Sequence, residues 1–221
     1  MDVGPLIAAG RECEILEAGP GRVVRRSRDG RDLEREAAAM RHARRHGFPA
    51  PEVFDADGPD ILMERVDGPS LMEEMVRAPQ EAHRRVRLLA TLLRDLAGVR
   101  APGWLQAAPG CPGNRLLHLD LHPANVILTA DGPKVVDWAN AARGAAGADV
   151  ACTWLLLATT PAGHALDERR TTWLAAFLED AGAEAARPYL RAMADRRRAD
   201  RNVTDEEKAG ITAFLTENAQ P

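Results

Sequence analysis

Between Leu116 and Trp138 the chain reads LLHLDLHPANVILTADGPKVVDW, and its polar residues stand at fixed offsets among apolar ones. His118 and Asp120 are two apart, Asn125 follows Asp120 by five, and Asp137 follows Asn125 by twelve. Phosphoryl transfer uses such a set. One carboxylate orients and deprotonates an attacking hydroxyl, and hard oxygen ligands hold Mg²⁺ on nucleotide phosphates. On this spacing Asp120 is the candidate base, and Asn125 and Asp137 are the candidate metal ligands. A second chemistry is also open. On a strand His118, Asp120 and His122 would share one face, and two imidazoles with a carboxylate can hold Zn²⁺ or Fe²⁺ in a hydrolase. Pro123 favours a loop there instead, and a metal-hydrolase reading accounts for neither Asn125 nor Asp137.

Such residues need elements to bring them together. Val126-Ile127-Leu128 and Val135-Val136 read as two short buried strands, and Ala130-Asp131-Gly132 between them is a hairpin turn signal. A hairpin returns the chain, so Asn125 before the first strand and Asp137 after the second come to one end of it. Pro123 stiffens the loop ahead of Asn125.

His118-Leu119-Asp120-Leu121-His122-Pro123-Ala124-Asn125 resembles the catalytic loop of the aminoglycoside phosphotransferase and choline kinase-like family. Val136-Asp137-Trp138 is similar to that family's metal-binding motif, which replaces the Asp-Phe-Gly of protein kinases. Ala139 departs from the pattern, since many members carry an acidic residue there. The resemblance implies an α+β, bilobal protein-kinase-like fold: a small antiparallel-sheet N-lobe with one helix, residues 1–66 including the hinge, and a larger, mostly helical C-lobe, residues 67–221. It also implies a small-molecule kinase that uses ATP and Mg²⁺ and transfers the γ-phosphate to a hydroxyl of its acceptor.

The amino-terminal third supplies matching parts. Glu12–Glu17 and Val23–Arg26 read as strands around the turn signal Gly19-Pro20-Gly21. By resemblance, Gly10-Arg11-Glu12 lies in the turn that covers the nucleotide phosphates. Kinase-like enzymes hold the α- and β-phosphates with a cation on the third strand. Here that cation is Arg25 or Arg26, which strand alternation puts on opposite faces; the resemblance favours Arg25. Residues 30–46 read as a helix with the stripe Leu33, Ala37, Met40. Glu36 borders that stripe and matches the family glutamate that pairs with the strand cation, whereas Glu34 points away. Val53-Phe54 and Ile61-Leu62-Met63 read as two more strands around Asp57-Gly58-Pro59. Glu64–Gly68 resembles the hinge, where the Glu64 carbonyl and the Val66 amide would meet adenine and Met63 would line its pocket.

Residues 70–99 read as helices, with Ala82, Val86, Leu89, Leu93 and Leu96 at helical spacing. A Gly- and Pro-rich loop, Gly98–Asn114, leads to the catalytic stretch. Arg143–Gly147 reads as a flexible link. Asp149 opens an apolar helix, Val150–Thr159, either as its cap or, by resemblance, as a brace for the catalytic loop. Further helices are expected around 166–181, 184–198 and 205–217, the last opened by a capping box at Thr204–Glu207. Asp195–Arg201 reads as a solvated charge run.

Composition narrows the partners. The chain has 221 residues, 45% hydrophobic and 28% charged, with a net charge of −4. That is globular composition without the basic field that nucleic acid attracts. No apolar run reaches membrane-spanning length and no secretory signal opens the chain, so a cytoplasmic protein with neither nucleic-acid nor membrane partner is expected. Cys13, Cys111 and Cys152 are too scattered for a disulfide framework or zinc site. A polycationic acceptor would need several carboxylates, and Asp167, Glu168, Glu179, Asp180 and Glu184 are the candidates. A catalytically inactive nucleotide-binding module of the same fold is the alternative to an enzyme, since a fold alone does not prove activity.

Overall fold

The computed structural model describes residues 3–200 and 203–218; Arg201, the end of the mixed charge run, lies outside them. The chain forms two compact units. One runs to Pro69 and takes in Ile127–Ala141; the other comprises Ser70–Val126 and the chain from Ala142 onward.

The first unit is built on a five-stranded antiparallel sheet: β1 (Leu6–Ala9), β2 (Cys13–Glu17), β3 (Arg22–Ser27), β4 (Val53–Asp57) and β5 (Asp60–Glu64), in the order β1-β2-β3-β5-β4. Gly19 and Gly21 both take positive φ in the turn between β2 and β3, which other L-residues resist. In β3 the side chain of Arg25 is buried and that of Arg26 is partly exposed, as the twofold alternation of a strand requires.

Helix α1 (Glu34–Arg45) starts four residues later than the sequence suggested. The local cause is side-chain competition for the backbone. Asp29 accepts from the Arg31 amide at 3.3 Å and Asp32 from the Glu34 amide at 2.6 Å, so these aspartates form turns in place of a first helical turn. Leu33, Ala37 and Met40 are buried as their spacing implies, and Glu36 is buried beside them while Glu34 is exposed.

A hairpin of β7 (Val126–Thr129) and β8 (Gly132–Val135), numbered along the chain, brings residues 127–141 into this first unit. A single cut near residue 66 does not describe that arrangement. The Leu128 amide donates to the Pro69 carbonyl and the Val135 amide to the Pro49 carbonyl, both at 2.8 Å. Lys134 pairs with Glu64 at 2.8 Å, and Trp138, fully buried, meets Phe48 edge-on. The close approach also fixes Gly68: a Cβ there would lie 2.2 Å from the Leu128 carbonyl oxygen.

The second unit is mostly helical. It holds α2 (Leu71–Arg77), α3 (Ala82–Arg85), α4 (Arg87–Ala97), β6 (Arg115–Leu117), β9 (Ala142–Gly144), α5 (Ala146–Thr159), α6 (His164–Asp167), α7 (Arg170–Ala181), α8 (Ala183–Ala186), α9 (Leu190–Arg198) and α10 (Asp205–Asn218). Helix α5 is buried along nearly its whole length and packs against α4, α7, α8, α9 and α10; its all-round apolar sequence suits a central position. The segment read as a flexible link is instead partly a strand: β9 pairs antiparallel with β6, with Leu117 opposite Ala142. Gly144 permits this, because a Cβ there would meet the Leu117 side chain at 2.7 Å. The expected 184–198 helix is broken at Pro188 into α8, a 3₁₀ turn and α9, since proline lacks the amide that an uninterrupted helix needs. The Thr204–Glu207 capping box is present: the Thr204 amide donates to Glu207 at 2.8 Å and the Glu207 amide to the Thr204 hydroxyl at 3.2 Å. Among the described residues no helix is long and apolar enough to cross a membrane.

Candidate active site

Three of the residues singled out by type and spacing meet in the first unit. Arg25 Nε donates to Glu36 Oε1 at 3.1 Å, and Arg25 Nη2 donates to Asp137 Oδ1 at 2.9 Å. Arg25 is a strand residue, Glu36 sits on the first helix, and Asp137 follows the hairpin 112 residues after Arg25. The Arg25 and Glu36 side chains are 10% and 5% exposed, against 45% for Asp137. The arginine is thus anchored on its buried side and shares its open side with a carboxylate. Burial alone would lower the Arg25 pKa, but Glu36 and then Asp137 outweigh it and hold the guanidinium charged. Burial pushes Glu36 upward, to about 7, against the pull of Arg25. The Trp138 amide also favours the charged carboxylate of Glu36, so Glu36 reaches the residue next to Asp137. Asp137 itself takes a positive φ of 62°, a conformation aspartate tolerates better than most residues.

Arg26 goes elsewhere, making a bidentate pair with Asp60 at 2.8 and 2.7 Å. Met63 is buried on β5 opposite Val23 and Val53. Glu64 ends that strand. Its carboxylate holds Lys134 and accepts from the Glu52 amide at 2.9 Å, so its side chain fastens the hairpin to the sheet. Burial opposes a low Glu64 pKa, but Lys134 and the Glu52 amide prevail and lower it. Val66 is half-buried two residues further on.

The second unit carries the loop. Residues 118–122 are irregular, so the strand alternation behind a His118–Asp120–His122 metal site does not apply. Among the described residues no group of three His, Cys, Asp or Glu side chains is placed to hold a metal ion. Asn125 Nδ2 donates to the Asp120 carbonyl at 2.9 Å and lies 3.4 Å from its Oδ2. That fixes the amide so that Oδ1 is the ligand-type atom it has left to offer. His122 Nδ1 accepts from the Ala124 amide at 3.3 Å, and its Nε2 lies 3.8 Å from Asp120 Oδ1. His118 is fully buried.

The brace beneath the loop is more extensive than the sequence suggested. Asp149 lies in the first turn of α5, inside the helix and not at its cap. Its carboxylate accepts the His118 and Leu119 amides, each at 2.7 Å. Cys152 Sγ donates to the Leu119 carbonyl at 3.2 Å, and Thr153 Oγ1 donates to the Leu121 carbonyl at 2.8 Å. Leu119 has φ +57°, which costs a non-glycine residue about 1–2 kcal/mol; both of its backbone groups are tied, which holds it there. Burial pushes the Asp149 carboxyl up to about 6 despite the two amides, and it pushes the Cys152 thiol up as well. Neither Cys152, read only as a scattered thiol, nor Thr153 is marked by the sequence motifs as part of this brace. The available signal was three polar residues at i, i+3 and i+4 on an otherwise apolar helix, which places them on one face.

The five carboxylates that could have gathered a polycation are already engaged. Asp167 pairs with Arg170; Glu168 lies 3.3 Å from His164; Glu179 and Asp180 both hold Arg87; and Glu184 lies 3.4 Å from Arg187.

The sequence matches the family described as "Phosphotransferase enzyme family" over residues 11–111 and 103–194. The chain belongs to the phosphotransferase enzyme family. Solved structures of this family's kind share its α+β, protein-kinase-like fold. A thermostable mutant of aminoglycoside phosphotransferase APH(4)-Ia, in ternary complex with AMP-PNP and hygromycin B, matches with a TM-score of 0.68 at 16% identity, covering 100% of this chain and 96% of that one. The streptomycin–ATP ternary complex of APH(2'')-IIa matches at 0.62 and 11% identity, covering 98% and 91%. Amicoumacin kinase hAmiN, in complex with AMP-PNP, Ca²⁺ and Ami, matches at 0.58 and 12% identity, covering 95% and 86%. No protein with a curated description matches the sequence.

Proposed function

We propose that this phosphotransferase is an ATP-dependent small-molecule kinase that phosphorylates a hydroxyl of its acceptor. The observation that supports this most is the convergence of Arg25, Glu36 and Asp137, which lie far apart in sequence and meet as one buried-to-open charge cluster. In this reading Arg25 grips phosphate oxygens with its planar, charged fork, and Glu36 aims it. Met63, the Glu64 carbonyl and the Val66 amide receive the adenine. ATP-analogue, ADP and ATP complexes of similarly folded enzymes favour the same nucleotide here.

Asp120 is the base. It accepts the proton of the acceptor hydroxyl as that oxygen attacks, a contribution of about 10²–10⁴-fold in rate. Asn125 keeps the loop closed on Asp120, and Asp149, Cys152 and Thr153 hold the backbone that presents it. Asn125 and Asp137 would hold Mg²⁺: both offer hard oxygen, the Asn125 nitrogen is already committed, and Asp137 is the open member of its cluster. When bound, Mg²⁺ neutralises charge on the phosphate oxygens.

The test is a thermal shift paired with turnover. Wild-type protein should gain melting temperature with ATP and Mg²⁺ by mass action and should release ADP when supplied with a suitable alcohol. Asp120→Asn should keep the shift and lose turnover by at least about 10²-fold. Binding without turnover in the wild type would instead identify an inactive nucleotide-binding module. Full turnover in the Asp120→Asn protein would remove Asp120 from the mechanism.

A further inference from the structure

The charge cluster of the first unit has a member that neither motif nor resemblance pointed to. Arg31, in the connection between β3 and α1, pairs through Nη1 with Glu12 Oε2 at 2.7 Å. Glu12 belongs to the turn between β1 and β2, and Arg28 holds the same turn by donating its amide to the Glu12 carbonyl at 2.9 Å and Nη1 to the Gly10 carbonyl at 3.2 Å. The other end of the Arg31 fork is different. Its Nη2 is buried and has no hydrogen-bond partner. Glu36 Oε2, an acceptor of opposite charge, is buried and lacks a partner too. The two residues lie within electrostatic reach of one another, and both reach Cys13 on β2.

Leaving a buried donor or acceptor unpaired is costly, and more so when it is charged. A pairing of Arg31 Nη2 with Glu36 Oε2 would satisfy both atoms at once. Arg25 shows why such a pairing has a use. Its guanidinium is divided between Glu36 and Asp137; in the proposed reaction it would also engage phosphate oxygens, which weakens its hold on both carboxylates. Glu36, whose carboxyl burial already pushes up against the pull of Arg25, then needs either a proton or a second cation at Oε2.

Resting on that kinase reading, we propose that Arg31 is a positioning residue that serves as the second counter-cation of Glu36, exchanging Glu12 for Glu36 Oε2 when a nucleotide triphosphate engages Arg25. The same exchange couples the β1–β2 turn to the occupancy of the phosphate site, because the turn is released from Arg31 as Glu36 takes it. The ligand that drives it is a polyphosphate and not a nucleoside, since only the phosphates draw Arg25.

The experiment compares wild type, Arg31→Gln, Arg31→Lys and Glu12→Gln in the full chain. Each is measured for thermal shift with ATP·Mg²⁺ and with adenosine, and for KM of ATP and kcat. Arg31→Gln should raise the ATP KM about tenfold or more and shrink the ATP·Mg²⁺ shift while leaving the adenosine shift unchanged. Arg31→Lys should recover a large part of the loss. Glu12→Gln, which frees the guanidinium for Glu36, should lose at least threefold less than Arg31→Gln. Equal losses in Glu12→Gln and Arg31→Gln would reduce Arg31 to a clamp on the turn and overturn the proposal. So would an unchanged ATP KM in Arg31→Gln, or equal weakening of adenosine and ATP. Absence of any ATP·Mg²⁺ shift in the wild type would instead be a failure of the kinase reading, visible before any variant is made.

Discussion

The two units hold their chemical groups by different physics. In the first, Arg25, Glu36 and Asp137 are held by charge, through two ion pairs on one guanidinium. In the second, the Asp120 loop is held by side chains that bond its backbone: Asp149 to two amides, Cys152 and Thr153 to two carbonyls, and Asn125 to a third. Ion pairs can exchange partners with little change in geometry. A backbone bonded at successive residues, one of them at positive φ, has one arrangement. In the proposed reaction the first unit would therefore suit groups that rearrange around a charged ligand, and the second a base that stays where it is.

Removing the brace should have the largest effect. Asp149→Ala leaves the His118 and Leu119 amides buried without an acceptor, which costs about 2–5 kcal/mol. Chemical denaturation should show that loss, and turnover should fall with it. An effect below about 0.5 kcal/mol would mean the loop does not depend on its brace.

The same carboxylate gives the comparison a pH dependence. The folded Asp149 pKa is raised to about 6 by burial. Its contribution to stability is full at low pH, where it is neutral folded or unfolded. It declines as pH rises from the ordinary carboxylate range through about 6, by at most about 1.4 kcal/mol per pH unit. Against Asp149→Asn, which cannot titrate, the wild type should lose relative stability between about pH 4 and 6 and level off above. A relative gain over that range would show that the amides, not burial, dominate this group.

The smallest effect is expected at the other strand arginine. Arg26→Gln removes a partly exposed pair with Asp60 and should cost about 1 kcal/mol or less, with the ATP·Mg²⁺ shift unchanged. Loss of that shift would make Arg26, and not Arg25, the cation of the site.

Much of this was legible in the sequence, for reasons that can be named. Strand alternation separated Arg25 from Arg26, and helical spacing put Glu36 beside Leu33, Ala37 and Met40. Turn residues announced the β7–β8 hairpin, and the Thr204–Glu207 box announced α10. All are local rules whose period is set by backbone geometry. Where the structure differs, one cause is a distant partner and the other a local one. Arg143 and Gly144 lack a strand's usual composition, yet β6 lies alongside and gives their backbone a partner. The late start of α1 has a local cause, since Asp29 and Asp32 spend their side chains on turns with the Arg31 and Glu34 amides.

The sequence by itself determined the residue types, their spacing and the family, because motif chemistry is written in consecutive residues. Tertiary structure decided three things. It grouped residues 127–141 with the amino-terminal sheet, it recruited Cys152 and Thr153 to the loop, and it paired Arg31 with Glu12. Each joins groups that no backbone periodicity relates, through side-chain direction and burial that exist only once the chain has packed.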